Sequence, residues 1–187
     1  MKRKKGFTFI ELIIVMAIIA IFAAILIPTW SYFLSRARTR QNNAVARTVF
    51  NAAQTAVVEM NSNERSLHVD PTERYVTNPF YYYWDGRHGF SCDSAGNSLN
   101  ATPTQRDVEF GNAVNRVLDT PQYAYKIFVS DNKVEAVSVG RNDEDPYVGV
   151  YPVSLQDAED NGRINAAQHR AFRNGYAVGV TLEDFTV

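Results

Sequence analysis

An α+β fold, one long N-terminal helix packed on a small antiparallel sheet, is what this 187-residue sequence predicts, and three observations predict it. An apolar run extends from Phe7 to Ile27. The helical pattern continues behind it to about Met60. Further on, two alternating runs, YAYKIFVS and KVEAVSV, flank Asp131 and Asn132 as a hairpin would.

The apolar run comes first. As a helix its ~21 residues reach about 32 Å, enough for the ~30 Å hydrocarbon core of a bilayer. Lys2, Arg3, Lys4 and Lys5 stand directly before it, so the positive-inside rule puts the N-terminus in the cytoplasm and residues 29 to 187 outside. The formal net charge is −1, and taking away those four positive charges leaves −5 on the remainder. That mildly acidic body is not built to bind nucleic acid through a basic surface. Cys92 is the single cysteine, which excludes an intrachain disulfide and any multi-cysteine zinc site. A half-buried structural thiol is favoured over an interchain bond.

Glu11 is the anomaly of the run. A carboxylate inside an apolar helix costs on the order of 2–3 kcal/mol near the bilayer centre and less close to the end. A secretory signal peptide does not explain it, because its apolar core is normally shorter and is followed by an A-x-A-like site, whereas Ile21-Phe22-Ala23 lacks the first small residue. A plain membrane anchor gains nothing from the charge. An ionisable group in this setting needs a partner.

The stretch KKGFTFIELIIVMAIIAIFAAILIP resembles the N-terminus of type IV prepilins and type II secretion pseudopilins. The matching residues are Gly6, Phe7, Thr8, Glu11, Leu12 and Pro28. The resemblance implies that a basic leader, residues 1–6, is cleaved between Gly6 and Phe7 and that the new amino group of Phe7 is N-methylated. Cleavage would set a cation, ionising near pH ~8, at the head of the helix. In a filament Glu11 of an incoming subunit would then face the Phe7 amine of its neighbour, so that docking satisfies two charges that are costly alone in lipid.

Beyond the run, Pro28 removes a backbone donor and is expected to kink the helix. Phe33, Ala37, Ala44, Ala46, Phe50, Ala53, Val57 and Met60 form an apolar stripe, with Arg36, Arg38, Arg40 and Arg47 off it. The polar NSNERS, residues 61–66, is expected to end the helix, and loops are expected to dominate from there to about residue 121. Within them, the aromatic-rich PFYYYWDGRHGF, residues 79–90, reads as cover for the sheet and helix in preference to a carbohydrate or adhesion patch. A short helix is expected over residues 107–120, weakened by Gly111. The hairpin follows. VGVYPVSL, residues 148–155, supplies a third strand whose Pro152 marks an edge or an end, and residues 176–187 supply a fourth. Family members often tie down the C-terminal region with a disulfide, which this chain cannot form.

Cofactors are not expected. The loop DAEDNGRINAAQ has the spacing of a calcium loop, with oxygens at Asp157, Glu159 and Asn161 and Gly162 for the turn. Gln168 stands where a bidentate Glu belongs, so this remains a weak candidate, and the acidic RNDEDP at residues 141–146 a weaker one. His68, His88 and His169 form no metal-ligand pair, and no catalytic fingerprint is present. His88, Ser91 and Cys92 lack a third group to orient a nucleophile.

The expected organisation is therefore a leader (1–6), a membrane-spanning and assembly half of the helix (7–28), an amphipathic half (29–62) and a globular head (63–187). The resemblance implies a non-enzymatic pilus subunit that waits in the cytoplasmic membrane as a single-pass precursor and is polymerised into a surface filament. Its implied partners are other pilin subunits, a prepilin peptidase and methyltransferase, and an assembly platform with its ATPase, with no direct nucleic-acid contact. A pseudopilin of a secretion or competence system is the nearest alternative. A single-span anchored extracellular enzyme or binding protein is the second.

Overall fold

The computed structural model describes residues 8–118, 122–175 and 178–187. Two compact units divide between Arg38 and Thr39. One helix, α1 (Phe9–Ser66), contributes to both and is unbroken across position 28, where the Thr29 hydroxyl donates to the Ile25 carbonyl at 3.0 Å. In the first unit no described side chain is buried.

In the second unit α1 turns a stripe inward at helical spacing: Asn42, Ala46, Val49, Ala53, Val57 and Met60 are buried, and Glu64 continues the line. The stripe departs from the sequence reading. Ala44 is exposed, while Val49, Ala52 and Ala56 belong to the core, because a single methyl carries too little apolar area to place its own face. The polar segment after Met60 does not end the helix. It continues to Ser66 because the Tyr75 amide donates to both Glu64 carboxylate oxygens at 3.2 Å and Arg106 Nε lies 3.6 Å from Oε1.

The region expected to be mostly loop contains two strands, β1 (Phe80–Trp84) and β2 (Gly89–Cys92), paired antiparallel with Tyr82 opposite Ser91. Bulky aromatics favour a pleated surface, and Asp85 makes the turn by accepting from the Arg87 and His88 amides at 2.6 Å each. Helix α2 (Gln105–Val117) begins two residues earlier than expected, at a capping box of Thr104 and Asp107. The hairpin of β3 (Ala124–Ser130) and β4 (Lys133–Gly140) turns at Asp131 and Asn132, whose φ angles of 49° and 62° are those a two-residue type I′ turn requires. Strand β5 (Gly149–Tyr151) is short and ends at Pro152.

The sheet order is β2-β1-β3-β4-β5, antiparallel throughout. One face, with Tyr82, Tyr125, Ile127 and Val137, packs on α1 and Phe110 of α2. The opposite face, with Tyr81, Phe128, Ala136 and Val150, is covered by α3 (Leu155–Asp160), α4 (Ala166–Arg173) and a 3₁₀ turn, Leu182–Phe185.

That second layer corrects the expected C-terminal strand. Among the described residues of that stretch the chain makes turns and the 3₁₀ segment, whose start is fixed by the Thr181 amide donating to Asp184 Oδ2 at 2.7 Å; residues 176 and 177 lie outside the described residues. Phe185 is fully buried with its ring 5.2 Å from that of Phe172, the Tyr81 hydroxyl donates to Glu183 at 3.2 Å, and Arg163 donates to the Thr186 carbonyl. Packing and these bonds hold the C-terminal region without a disulfide.

Candidate assembly and membrane segment

The segment opens at Thr8, one residue before α1. The Thr8 amide and hydroxyl both donate to Glu11 Oε2 at 2.7 Å, and the Glu11 amide lies 3.4 Å from Thr8 Oγ1. This is a capping box. It satisfies donors that the first helical turn leaves open, and it places a carboxylate at the positive end of the helix dipole. Glu11 thus has a local use that the resemblance did not assign, although Thr8-Phe9-Ile10-Glu11 is the T-x-x-E signature of such a cap. A carboxylate has about four lone-pair sites, so capping leaves capacity for a further donor. Gly6 and Phe7, the expected cleavage and methylation residues, lie outside the described residues.

Among the described residues, α1 is the one helix long and apolar enough to cross a membrane, and no residue of its most apolar window is buried. Ile10, Met16, Ile21, Phe22 and Leu26 are each more than 60% exposed, a surface that water does not tolerate at this extent. Such a face requires lipid or other helices.

The other candidates take structural places. Asp157 and Glu159 lie in α3, where Asp157 accepts from its own N-cap, Ser154. Asn161 is the C-cap and donates to the Asp157 carbonyl at 2.8 Å, while Glu159 pairs with His169 of α4. The weak calcium-loop candidate is therefore helical over its first ligand positions. Among the described residues no three acidic, His or Cys side chains are grouped to hold a metal. In the acidic turn, Asp145 accepts from the Arg141 amide at 2.8 Å and the Tyr147 amide at 2.9 Å, and Asp143 accepts from Tyr83.

His88, Ser91 and Cys92 serve separate ends. His88 lies 3.6 Å from Asp85, Ser91 donates to Asp107, and Cys92 is fully buried, where desolvation pushes its thiol up to about 11. A thiol so placed is inert. The aromatic run is in the sheet, with Tyr81 and Tyr82 buried on opposite faces.

A polar centre absent from the sequence reading joins α2, β2 and the loop residue Tyr75. Asp107 is completely buried, accepting on Oδ2 from the Thr104 amide (2.7 Å) and hydroxyl (2.8 Å) and on Oδ1 from the Tyr75 hydroxyl (2.5 Å) and from Ser91. Burial works to raise this carboxyl, but the hydrogen bonds from Ser91, Tyr75 and Thr104 outweigh it and hold the group below its ordinary 3.8. Burial and the same carboxylate push the Tyr75 hydroxyl far above its usual range.

Residues 1–27 match the prokaryotic N-terminal methylation motif. Two fimbrial proteins of Pseudomonas aeruginosa are 42% identical over 59 residues, 32% of this chain and 38% of each relative. The type IV wide pilus major component PilA4 of Thermus thermophilus is 53% identical over 53 residues, 28% of this chain and 37% of that protein. The match thus spans about 38% of the length of the curated relatives. No solved structure matches the chain. With the methylation motif at its start and an exposed apolar helix behind it, the N-terminal third of the chain is similar to that of type IV pilus proteins.

Proposed function

We propose that this chain is a structural subunit of a type IV pilus, made as a membrane-held precursor and polymerised through α1. The observation that carries the reading is the apolar half of α1, none of whose most apolar window is buried, opened by the methylation motif and capped through Thr8 and Glu11. The names of its relatives, fimbrial protein and pilus major component, support it.

In this reading a peptidase removes residues 1–6, and the freed Phe7 amine is methylated. The chain then waits in the cytoplasmic membrane with its head outside. On assembly, Glu11 keeps its cap to Thr8 and accepts the Phe7 amine of a neighbouring subunit, while apolar helix faces exchange lipid for one another. Pro28, lacking an amide donor, loosens the helix at one point where the packed subunits must adjust.

Mass spectrometry of protein from cells making filaments tests processing: loss of residues 1–6 and one methyl on Phe7 are expected. An intact leader or an end near Ala24 would refute it. Glu11→Gln tests assembly, since Gln still completes a capping box while the charge is gone. Cleavage should persist and filament yield by electron microscopy should fall at least tenfold, about 1.4 kcal/mol per subunit docked. Normal filaments would remove the proposed charge pairing.

A further inference from the structure

The exposed face of α1 changes character at Trp30. Trp30, Tyr32 and Phe33 are 66%, 61% and 64% exposed, and the Trp30 and Phe33 rings sit 6.4 Å apart. Arg36 lies with Cζ 5.2 Å from the centre of the Tyr32 ring, and Arg36 and Arg38 are both exposed. Trp and Tyr with an apolar body and a polar tip favour the bilayer interface, and Arg beside them reaches phosphate.

The spacing fits a bilayer at both ends. From Glu11 to Trp30 the helix rises about 28 Å, close to the ~30 Å hydrocarbon core. With Trp30 at one edge, the Thr8–Glu11 cap falls at the other, where its polar groups meet headgroups and water. The Arg36 backbone then stands about 9 Å beyond the outer edge, just past the headgroup layer, from which its long side chain reaches back to the lipid phosphates. The charge bias makes the same demand. Arg36 and Arg38 lie on the side that the basic residues 2–5 direct outward, where anionic headgroups offset the positive-inside preference that they oppose.

We propose that Trp30, Tyr32, Arg36 and Arg38 form a collar that binds anionic phospholipid headgroups of the outward leaflet and sets the depth at which the waiting subunit holds Glu11. The inference rests on the membrane-resident stage of the function proposed above. Tyr32 positions the Arg36 guanidinium by a cation–π contact, and the guanidinium pairs with a lipid phosphate through charge-assisted hydrogen bonds. Depth matters because a helix that slides outward drags the Glu11 carboxylate into hydrocarbon.

The test uses the full chain carrying Trp84→Phe, which leaves Trp30 as the sole tryptophan, in vesicles of phosphatidylcholine and phosphatidylglycerol. Bromine is placed either near the carbonyls or at mid-chain, on one lipid class at a time. Trp30 should be quenched by the shallow label and hardly by the deep one. At equal mole fraction, brominated phosphatidylglycerol should quench as if enriched about fivefold around Trp30, and Arg36→Gln with Arg38→Gln should abolish that preference at unchanged helix content by circular dichroism. The basic residues 2–5 sit at the opposite interface, beyond contact quenching. Stronger quenching by the deep label overturns the collar. A preference that survives the double substitution overturns headgroup binding while leaving the span intact, and filament loss in that variant would then assign the arginines to a neighbouring subunit. Quenching by neither label would mean that the helix does not insert, and the pilus reading would fall with the collar.

Discussion

Gly149 of the edge strand lies directly against the backbone of Asn42: a Cβ at position 149 would stand 2.1 Å from the Asn42 carbonyl carbon. This close approach lets α1 close the open edge of the sheet. The Val150 backbone amide, which has no strand beyond it among the described residues, donates to Asn43 Oδ1 at 3.0 Å, and the Asn42 side-chain Nδ2 donates to the Tyr147 carbonyl. Gly149→Ala must push helix and strand apart. It should lower stability by about 1–3 kcal/mol, read as a shift of the urea midpoint of the chain in mild detergent. An unchanged midpoint would show that the strand can yield.

The Tyr82 hydroxyl is buried without a hydrogen-bond partner among the described residues, and a Cβ on Gly111 of α2 would lie 2.1 Å from it. Tyr82→Phe should therefore be neutral or stabilising by up to about 1 kcal/mol. Gly111→Ala should destabilise, even though Ala is the better helix former by about 1 kcal/mol. Combined, the two substitutions should recover most of that loss, because the clashing oxygen is gone and the next ring atom is 3.2 Å away. Additive effects in this double-mutant cycle would show that Gly111 is required for another reason.

Asp107 should make the head sensitive to acid. Its folded-state carboxyl ionises below 3.8, so the unfolded chain takes up the proton more readily. The stability it contributes is complete well above 3.8 and is lost as pH falls through that value toward the folded one. Asp107→Asn should cost about 1–3 kcal/mol at neutral pH and flatten the pH dependence between about pH 5 and 3. Urea titrations across that range decide the matter, and a variant with the parent's pH slope would place the acid sensitivity elsewhere.

Calcium should do little. With Asp157 and Glu159 on a short helix and Glu159 held by His169, a bound ion would have to break that hydrogen bond and unwind a turn. Millimolar calcium should leave the melting temperature within about 1 °C of the apo value, and a saturable rise abolished by Asp157→Ala would restore the loop as a site.

Removing residues 1–29 should leave a soluble chain. Most of the exposed apolar face goes with them, leaving Trp30, Tyr32 and Phe33, while the buried stripe from Asn42 to Met60 and both faces of the sheet remain. Circular dichroism should report helix plus strand without detergent, and a product that needs detergent would mean that those three aromatic side chains suffice to hold the chain out of water.

The sequence alone determined the N-terminal helix, its membrane-length apolar run, the anomaly of Glu11 and the β3–β4 hairpin. These features are local: a long apolar run, one carboxylate set within it and two residues suited to a left-handed turn each act within a few positions of themselves. What lay beyond reach was decided by contacts distant in sequence. The stripe of α1 passes through Val49 and Ala52 because the sheet selects which weakly apolar residues face it, and α1 outlasts its polar end because Tyr75 and Arg106 satisfy Glu64. The aromatic run is strand because β3 lies beside it, with Tyr82 opposite Ile127. The C-terminal stretch alternates like a strand, yet among the described residues β5 pairs with β4 alone and the second face of the sheet needs a cover, so burying Leu182 and Phe185 across that face removed more apolar area from water than another edge strand would have.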